Sequence, residues 1–302
     1  MEASDLAVFA AVASAGTITR AAEGLHTVQS NVTARLRHLE TELGVALFHR
    51  HARGVFLTSA GEQLLPYAVQ VGQLLEEAKR VVMDHSTPRG SLRLGSLETA
   101  AAVRLPPILA AFSQECPRVD LTLCTGTTSA LVEKVLGYQL EGALVSGPLS
   151  HPNLIETIIC EEELVVISSP AFASLDEALA GREVKILVFR DGCSYRARFE
   201  ELLKKHGVLR VRELEFGTVD GILGCTAAGL GLSFLPRAVA ERAWREGQIK
   251  LHPLPPSQGR VATMFIHRRD AFLSASLKHF IACALAVGKT IGAADATKAA
   301  GA

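Results

Sequence analysis

The sequence has no excess of either charge. Lys plus Arg and Asp plus Glu each number 31 in 302 residues, and the formal net charge is zero. That balance neither supports nor excludes a nucleic-acid partner, because a DNA-binding chain needs positive charge only on its contact face. No apolar run reaches about eighteen residues, so no membrane span is expected. The apolar stretch Met1–Gly16 lacks the basic n-region of a secretory signal, with Glu2 and Asp5 where Lys or Arg would stand. It is expected to be an amphipathic helix using Leu6, Phe9, Ala10 and Val12, in a cytoplasmic protein. The six cysteines, at 116, 124, 160, 193, 225 and 283, show no C-x-x-C spacing, which argues against structural zinc and fits reduced thiols. Also missing are G-x-G-x-x-G, a Walker loop, H-E-x-x-H and G-x-S-x-G. Gly229-Leu230-Gly231 follows a predicted helix, so it makes a poor phosphate cradle. No enzyme, cofactor or resident metal is therefore expected.

What is present is ordinary in bulk, 48% hydrophobic and 21% charged, and too long for a single core. Residues 1–58 read as helical, then turn-rich. Thr19 is expected to cap a short helix through Leu25, and Thr27 another that begins at Val28. The second helix carries Val32, Leu36, Leu39 and Leu43 on one stripe, and Gly44 supplies a left-handed stop. The small pair Ala21–Ala22 allows two helices to cross closely. Two short helices joined by a tight turn describe a helix-turn-helix. Arg53-Gly54 then separates two strand-like pieces of residues 48–58, a β-wing with Arg50 and Arg53 near phosphates. With the apolar stripe inward, Gln29, Ser30, Asn31, Thr33, Ala34, Arg35 and Arg37 are candidates to face DNA, where Gln can read adenine and Arg guanine. His38, His49 and His51 suit phosphate or packing contacts better than metal.

A long helix is expected from Ser59, with Ser59 and Glu62 spaced as a capping box and Pro66 kinking or restarting its first turn. Leu64, Ala68, Val71, Leu75, Ala78 and Val82 form an a/d seam for a coiled-coil homodimer. Ser86–Gly90 breaks it as a hinge. From residue 91 short apolar strands alternate with helices, an α/β pattern. The strands are expected at 91–96, 119–125, 142–146, 164–168, 184–189, 212–216, 231–235 and 261–267. Helices are expected at 100–115, 128–136, 196–206, 220–228 and 273–286, followed by a frayed small-residue tail.

The stretch FAAVASAGTITRAAEGLHTVQSNVTARLRHLETELGVALFHRHARGVFLTSAGE, Phe9 to Glu62, resembles the N-terminal signature of the LysR-type transcriptional regulators almost throughout. The family often has Arg where Ala34 stands and Gln where Arg35 stands, a departure expected to shift the base or phosphate read. GSLRLGSLETAAAVRLPPILAAF and AAGLGLSFLP resemble the family's effector domain. The resemblance implies a winged helix-turn-helix over 1–58, a linker helix and hinge over 59–90, and an effector-binding domain over 91–302. That domain is implied to be periplasmic-binding-protein-like, with subdomain I at about 91–163 and 268–290 and subdomain II at about 164–267. It further implies double-stranded promoter DNA, RNA polymerase and a small effector as partners, and a homodimer that pairs into a homotetramer; backbone donors at the strand–helix junctions favour an anionic effector. The effector candidates are Ser96, Thr99, Thr125, Thr127, Thr128, Cys193 and Thr218, set where strands give way to helix N-termini. Two other readings stand beside this one. Cys193, near Arg190 and Arg196, is similar in placement to the reactive cysteine of the family's peroxide sensors, but no resolving cysteine follows before Cys225. A metabolite receptor without DNA function would share the cleft, but not residues 1–58.

Overall fold

The computed structural model describes residues 1–51, 54–83, 87–181 and 183–299, without the side chains of Arg50, Arg80, Met83 and 291–299. The chain divides into two compact units, one built on Met1–Asp84 and one on nearly all of the remainder.

The first unit contains α1 (Ala3–Ala15), α2 (Ile18–Gly24), α3 (Gln29–Leu43), β1 (Phe48–His51), β2 (Gly54–Leu57) and α4 (Ser59–Met83). Its core joins Phe9 and Val12 of α1, Ala21 and Ala22 of α2, and Val32, Leu36 and Leu39 of α3. Leu43, expected on the same stripe, is exposed because α3 ends there and Gly44 turns the chain away at φ 70°. The helix caps differ from expectation by one or two residues. Thr17, not Thr19, caps α2 by accepting from the Arg20 amide at 3.3 Å. Val28 is the N-cap of α3, and Thr27 instead accepts from Asn31 Nδ2 at 2.9 Å. Thr58 caps α4 by accepting from the Gly61 amide at 3.1 Å, so the Ser59/Glu62 box is not what starts it. Pro66 lies inside α4, which is assigned as one helix across it.

The wing pairs β1 with β2 antiparallel, Phe48 opposite Leu57. It is seated on the α1–α2 turn by Val55 N–H donating to Gly16 O at 2.9 Å. Gly54 has φ +138°, and a Cβ there would stand 2.6 Å from Gly16 O, so the approach admits only glycine. The expected phosphate contact Arg53 lies outside the described residues, and for Arg50 only the backbone, in β1, is described.

The second unit runs β3 (Gly90–Ser96), α5 (Glu98–Val103), α6 (Leu105–Glu115), β4 (Val119–Thr125), α7 (Thr128–Leu136), β5 (Gly142–Ser146), β6 (Leu154–Ser168), α8 (Leu175–Leu179), β7 (Val184–Phe189), α9 (Ser194–Lys205), β8 (Val211–Phe216), α10 (Val219–Ala227), β9 (Ser233–Pro236), α11 (Arg237–Arg245), β10 (Lys250–His252), α12 (Pro256–Gly259), β11 (Arg260–Arg268) and α13 (Ala275–Ala299). Parallel β4, β3 and β5 continue into antiparallel β11 and β6. Beyond Glu163, β6 changes partners to β9 and β10, and β7 pairs in parallel with β8. β6 therefore belongs to both subdomains, being far longer than the expected 164–168. β11 pairs with β5 through Thr263–Ile266, which puts it in the first subdomain's sheet and not, as the sequence suggested, in the second.

The expected helix 100–115 is two helices broken at Arg104. Pro106 and Pro107 lack amide donors and favour a new helix start. α13 continues to Ala299 where a frayed tail was expected; its alanines are strong helix formers.

Candidate functional site

Two surfaces bear on function, one in each unit. On α3, Gln29, Ser30, Asn31, Ala34 and Arg37 are exposed opposite the Val32/Leu36/Leu39 stripe, and Thr33 is half-buried. The Gln29 amide is oriented by donation to Thr19 Oγ1 at 2.9 Å. Arg35 is different. Its guanidinium donates to Asp5 Oδ1 at 3.0 Å and to Ser4 Oγ at 2.7 Å, and Asp5 is only 3% exposed. His38 Nδ1 meets the other Asp5 oxygen at 3.1 Å. A carboxylate buried in α1 needs such partners, so Arg35 and His38 fasten α3 to α1.

In the second unit a cavity of about 410 Å³ forms where four strand-to-helix junctions meet. Leu97–Thr99 follow β3, Thr125–Thr127 follow β4, Phe189–Cys193 follow β7, and Phe216–Gly217 follow β8. Each chain leaves the C-terminal end of a strand and enters a helix, so helix N-termini and their amides converge on one space, the usual ligand position in open α/β sheets. Lys134 of α7 and Arg190 supply positive side chains to the wall, against Glu98 and Asp191. The two subdomains touch across it. Ser129 N–H and Oγ both donate to Gly192 O at 3.3 Å. Gly192 has φ +82°, and a Cβ on it would lie 3.0 Å from Thr127 Oγ1 and from Ser129 Cβ.

Among the expected effector residues, Thr99, Thr125, Thr127 and Cys193 lie in this wall. Ser96, Thr128 and Thr218 do not. Ser96 is fully buried and donates to Leu97 O at 3.0 Å, Thr128 is buried, and Thr218 is exposed, capping α10 through the Gly221 amide. Strand-to-helix junctions are rich in hydroxyls for capping alone, which is why sequence could not separate the two roles. Lys134, Tyr195 and Phe216 were missed because helix spacing and distant strands, not local motif, bring them in.

Beneath the cavity, Tyr195 faces Thr99 and Ser146, and burial pushes its hydroxyl well above the ordinary tyrosine range. Thr99 Oγ1 and Ser146 Oγ nevertheless have no well-formed hydrogen bond, so the proximity falls short of good bonding geometry. Deeper still, Arg104 grips Glu162 bidentately at 2.7 and 2.6 Å, both residues almost fully buried. Thr263 and Cys160 donate to the same carboxylate. Arg104 is in subdomain I, and Glu162 lies next to the point where β6 changes partners.

Burial works against the reactive thiolate that the nearby arginines suggested at Cys193. Burial raises its thiol pKa, outweighing the amides of Arg196 and Tyr195 and the Arg196 charge. The Arg196 guanidinium is itself engaged by Glu200, Glu213 and Glu215.

The comparisons agree with this two-part organisation. Residues 3–62 match the model of the bacterial regulatory helix-turn-helix proteins of the lysR family, and residues 85–289 match the LysR substrate binding domain. The chain belongs to the LysR family. The HTH-type transcriptional regulator GltR of Bacillus subtilis is 40% identical over 91% of this chain and 93% of its own. An uncharacterized HTH-type regulator of the same species, YusT, is 45% identical over 93% of this chain and 94% of its own. CbnR, a LysR family transcriptional regulator also solved with its target DNA, shares the fold at TM-score 0.68 and 24% identity, covering 95% of this chain and 100% of the DNA-bound chain. The protein is thus a DNA-binding transcription regulator of the LysR type with a substrate-binding domain. No helix among the described residues is long and apolar enough to cross a membrane.

Proposed function

We propose that this LysR regulator is switched by a small carboxylate-bearing metabolite held in the four-junction cavity, over an effector domain of residues 91–302. The carrying observation is the convergence of Lys134, Arg190 and the N-termini of α7 and α9 on a space of about 410 Å³. Helix N-termini and cations favour an anion, the size suits a metabolite of a few to a dozen heavy atoms, and Thr99 Oγ1 has no well-formed hydrogen bond. The cavity reads as a binding site and not a catalytic one, in line with relatives named as transcriptional regulators.

The ligand would stabilise contact between the Gly192 loop and the N-terminus of α7, shifting the population toward the closed cleft. Residues 1–58 then carry the DNA reader, with Gln29, Ser30, Thr33 and Arg37 on the contact face, and residues 59–90 the dimer linker. Calorimetry of the full chain against a panel of organic and amino acids tests the effector reading. Arg190→Ala or Lys134→Ala is expected to weaken the best binder at least about tenfold, as loss of one charge-assisted contact implies. Best binders that are bulky and apolar, or indifferent to both substitutions, would remove the assignment.

A further inference from the structure

A second cluster lies outside the cleft, where the C-terminal end of α6 meets α13. Glu115 ends α6; His279 and Cys283 stand four residues apart on α13, hence on one face. One ligand atom from each falls within 4.8 Å of the other two. His279 Nε2 already meets Glu115 Oε2 at 2.5 Å, and the imidazole packs beside Phe112 with ring centroids 6.4 Å apart. Cys283 is buried, His279 half-buried and Glu115 exposed, so the group runs from the protein interior to solvent.

We propose that Glu115, His279 and Cys283 bind one divalent cation of the zinc class, with a water completing a tetrahedron. The donor set decides the class. Thiolate, imidazole and carboxylate together suit zinc, whereas magnesium and calcium take oxygen alone. Bonds of about 2.0–2.3 Å place tetrahedral ligand atoms roughly 3.3–3.8 Å apart, so side-chain shifts of about an ångström complete the site. Solvent reaches it along Glu115 and His279, and the cation would enter between them. On binding, the Cys283 Sγ–H bond breaks and its proton passes to buffer. The proton between His279 Nε2 and Glu115 Oε2 leaves as well, with the imidazole keeping its proton on Nδ1, and metal bonds form at the freed atoms with no change of oxidation state. The cation would clip α13 to α6, away from the effector cavity. Cysteine spacing could not reveal the site, because Glu115 and His279 are 164 residues apart and the expected zinc signatures pair cysteines locally.

Titration of the full-length, metal-stripped protein with cobalt(II) tests it, read by a sulfur-to-cobalt charge-transfer band and reversed by zinc. One equivalent per chain is expected, with a raised melting temperature on zinc addition. Cys283→Ser should abolish the band. His279→Ala and Glu115→Gln should each weaken binding at least about tenfold and abolish the thermal shift. Cys124→Ser should change nothing. Absence of the band in the wild-type chain, its persistence in Cys283→Ser, or its loss in Cys124→Ser would overturn the assignment, as would undiminished affinity in His279→Ala.

Discussion

The Arg104–Glu162 pair makes a sharp demand on the effector unit. A bidentate ion pair this deeply buried stands only because both charges are satisfied together. Glu162→Gln leaves Arg104 charged without its counter-ion and is expected to cost about 3–5 kcal/mol in urea unfolding. His252 behaves oppositely. Ser168 Oγ donates to Ser169 O at 2.9 Å, so it accepts from His252 Nε2–H at 2.8 Å. Burial, reinforced by Lys250, lowers its pKa below the ordinary histidine value. The unfolded chain then binds a proton that the folded chain does not, so this contribution falls as pH drops through about 6.5. His252→Gln keeps a donor toward Ser168 and should flatten the loss of denaturation midpoint between pH 7.5 and pH 5.

At the scale of elements, α3 and α4 each present two faces with different work. On α3, Arg37→Ala should weaken operator binding by about 1–3 kcal/mol if the contact is to a base, without changing the melting temperature. Arg35→Ala should lower stability instead, because it removes one of the buried Asp5's partners and leaves it only His38 on α3; mobility shift and calorimetry on both variants separate the two effects. On α4 the expected dimer seam splits. Ala68 is buried in its own unit's core, and Leu64 and Val71 pack against that core. Leu74, Leu75, Val81 and Val82 remain 53%, 46%, 46% and 86% exposed, two apolar pairs one heptad apart, with Ala78 exposed between them. In the proposed homodimer this stripe is the part of the seam left to face a copy. Leu75→Asp with Val82→Asp should therefore yield monomers by light scattering, while Val71→Asp should unfold the DNA-binding unit.

For the whole molecule, the proposed switch predicts that ligand and conformation are coupled at the Gly192 loop. Its left-handed backbone disfavours any side chain by about 1–2 kcal/mol, and a Cβ there would crowd Thr127 and Ser129 at 3.0 Å, so both must give way. Gly192→Val should push the loop off Thr127 and Ser129 and so weaken effector binding by about tenfold or more, with operator affinity in the absence of effector unchanged. Titrating both ligands on one protein measures the coupling directly, and equal effector affinity in the variant would show that closure is not linked to binding.

Local sequence determined the helix-turn-helix, the wing and most strand positions. The α3 stripe, the turn at Gly54 and the short β-branched runs each suit one backbone conformation, and neighbours in sequence suffice to choose it. The long unbroken match from Phe9 to Glu62 carried the family for the same reason. Other features depended on residues remote in sequence. Whether Leu64 faces its own core or a partner depends on α1 packing against α4. That Arg35 serves Asp5 depends on a contact thirty residues away, and the path of β6 through both subdomains depends on its changing partners. Hydroxyls at strand ends look alike in one dimension. Thr99 and Thr127 became cavity wall, and Ser96 and Thr218 capping or core residues, only when four chain segments closed on one volume, because burial and charge pairing are properties of the assembled fold and not of any segment in it.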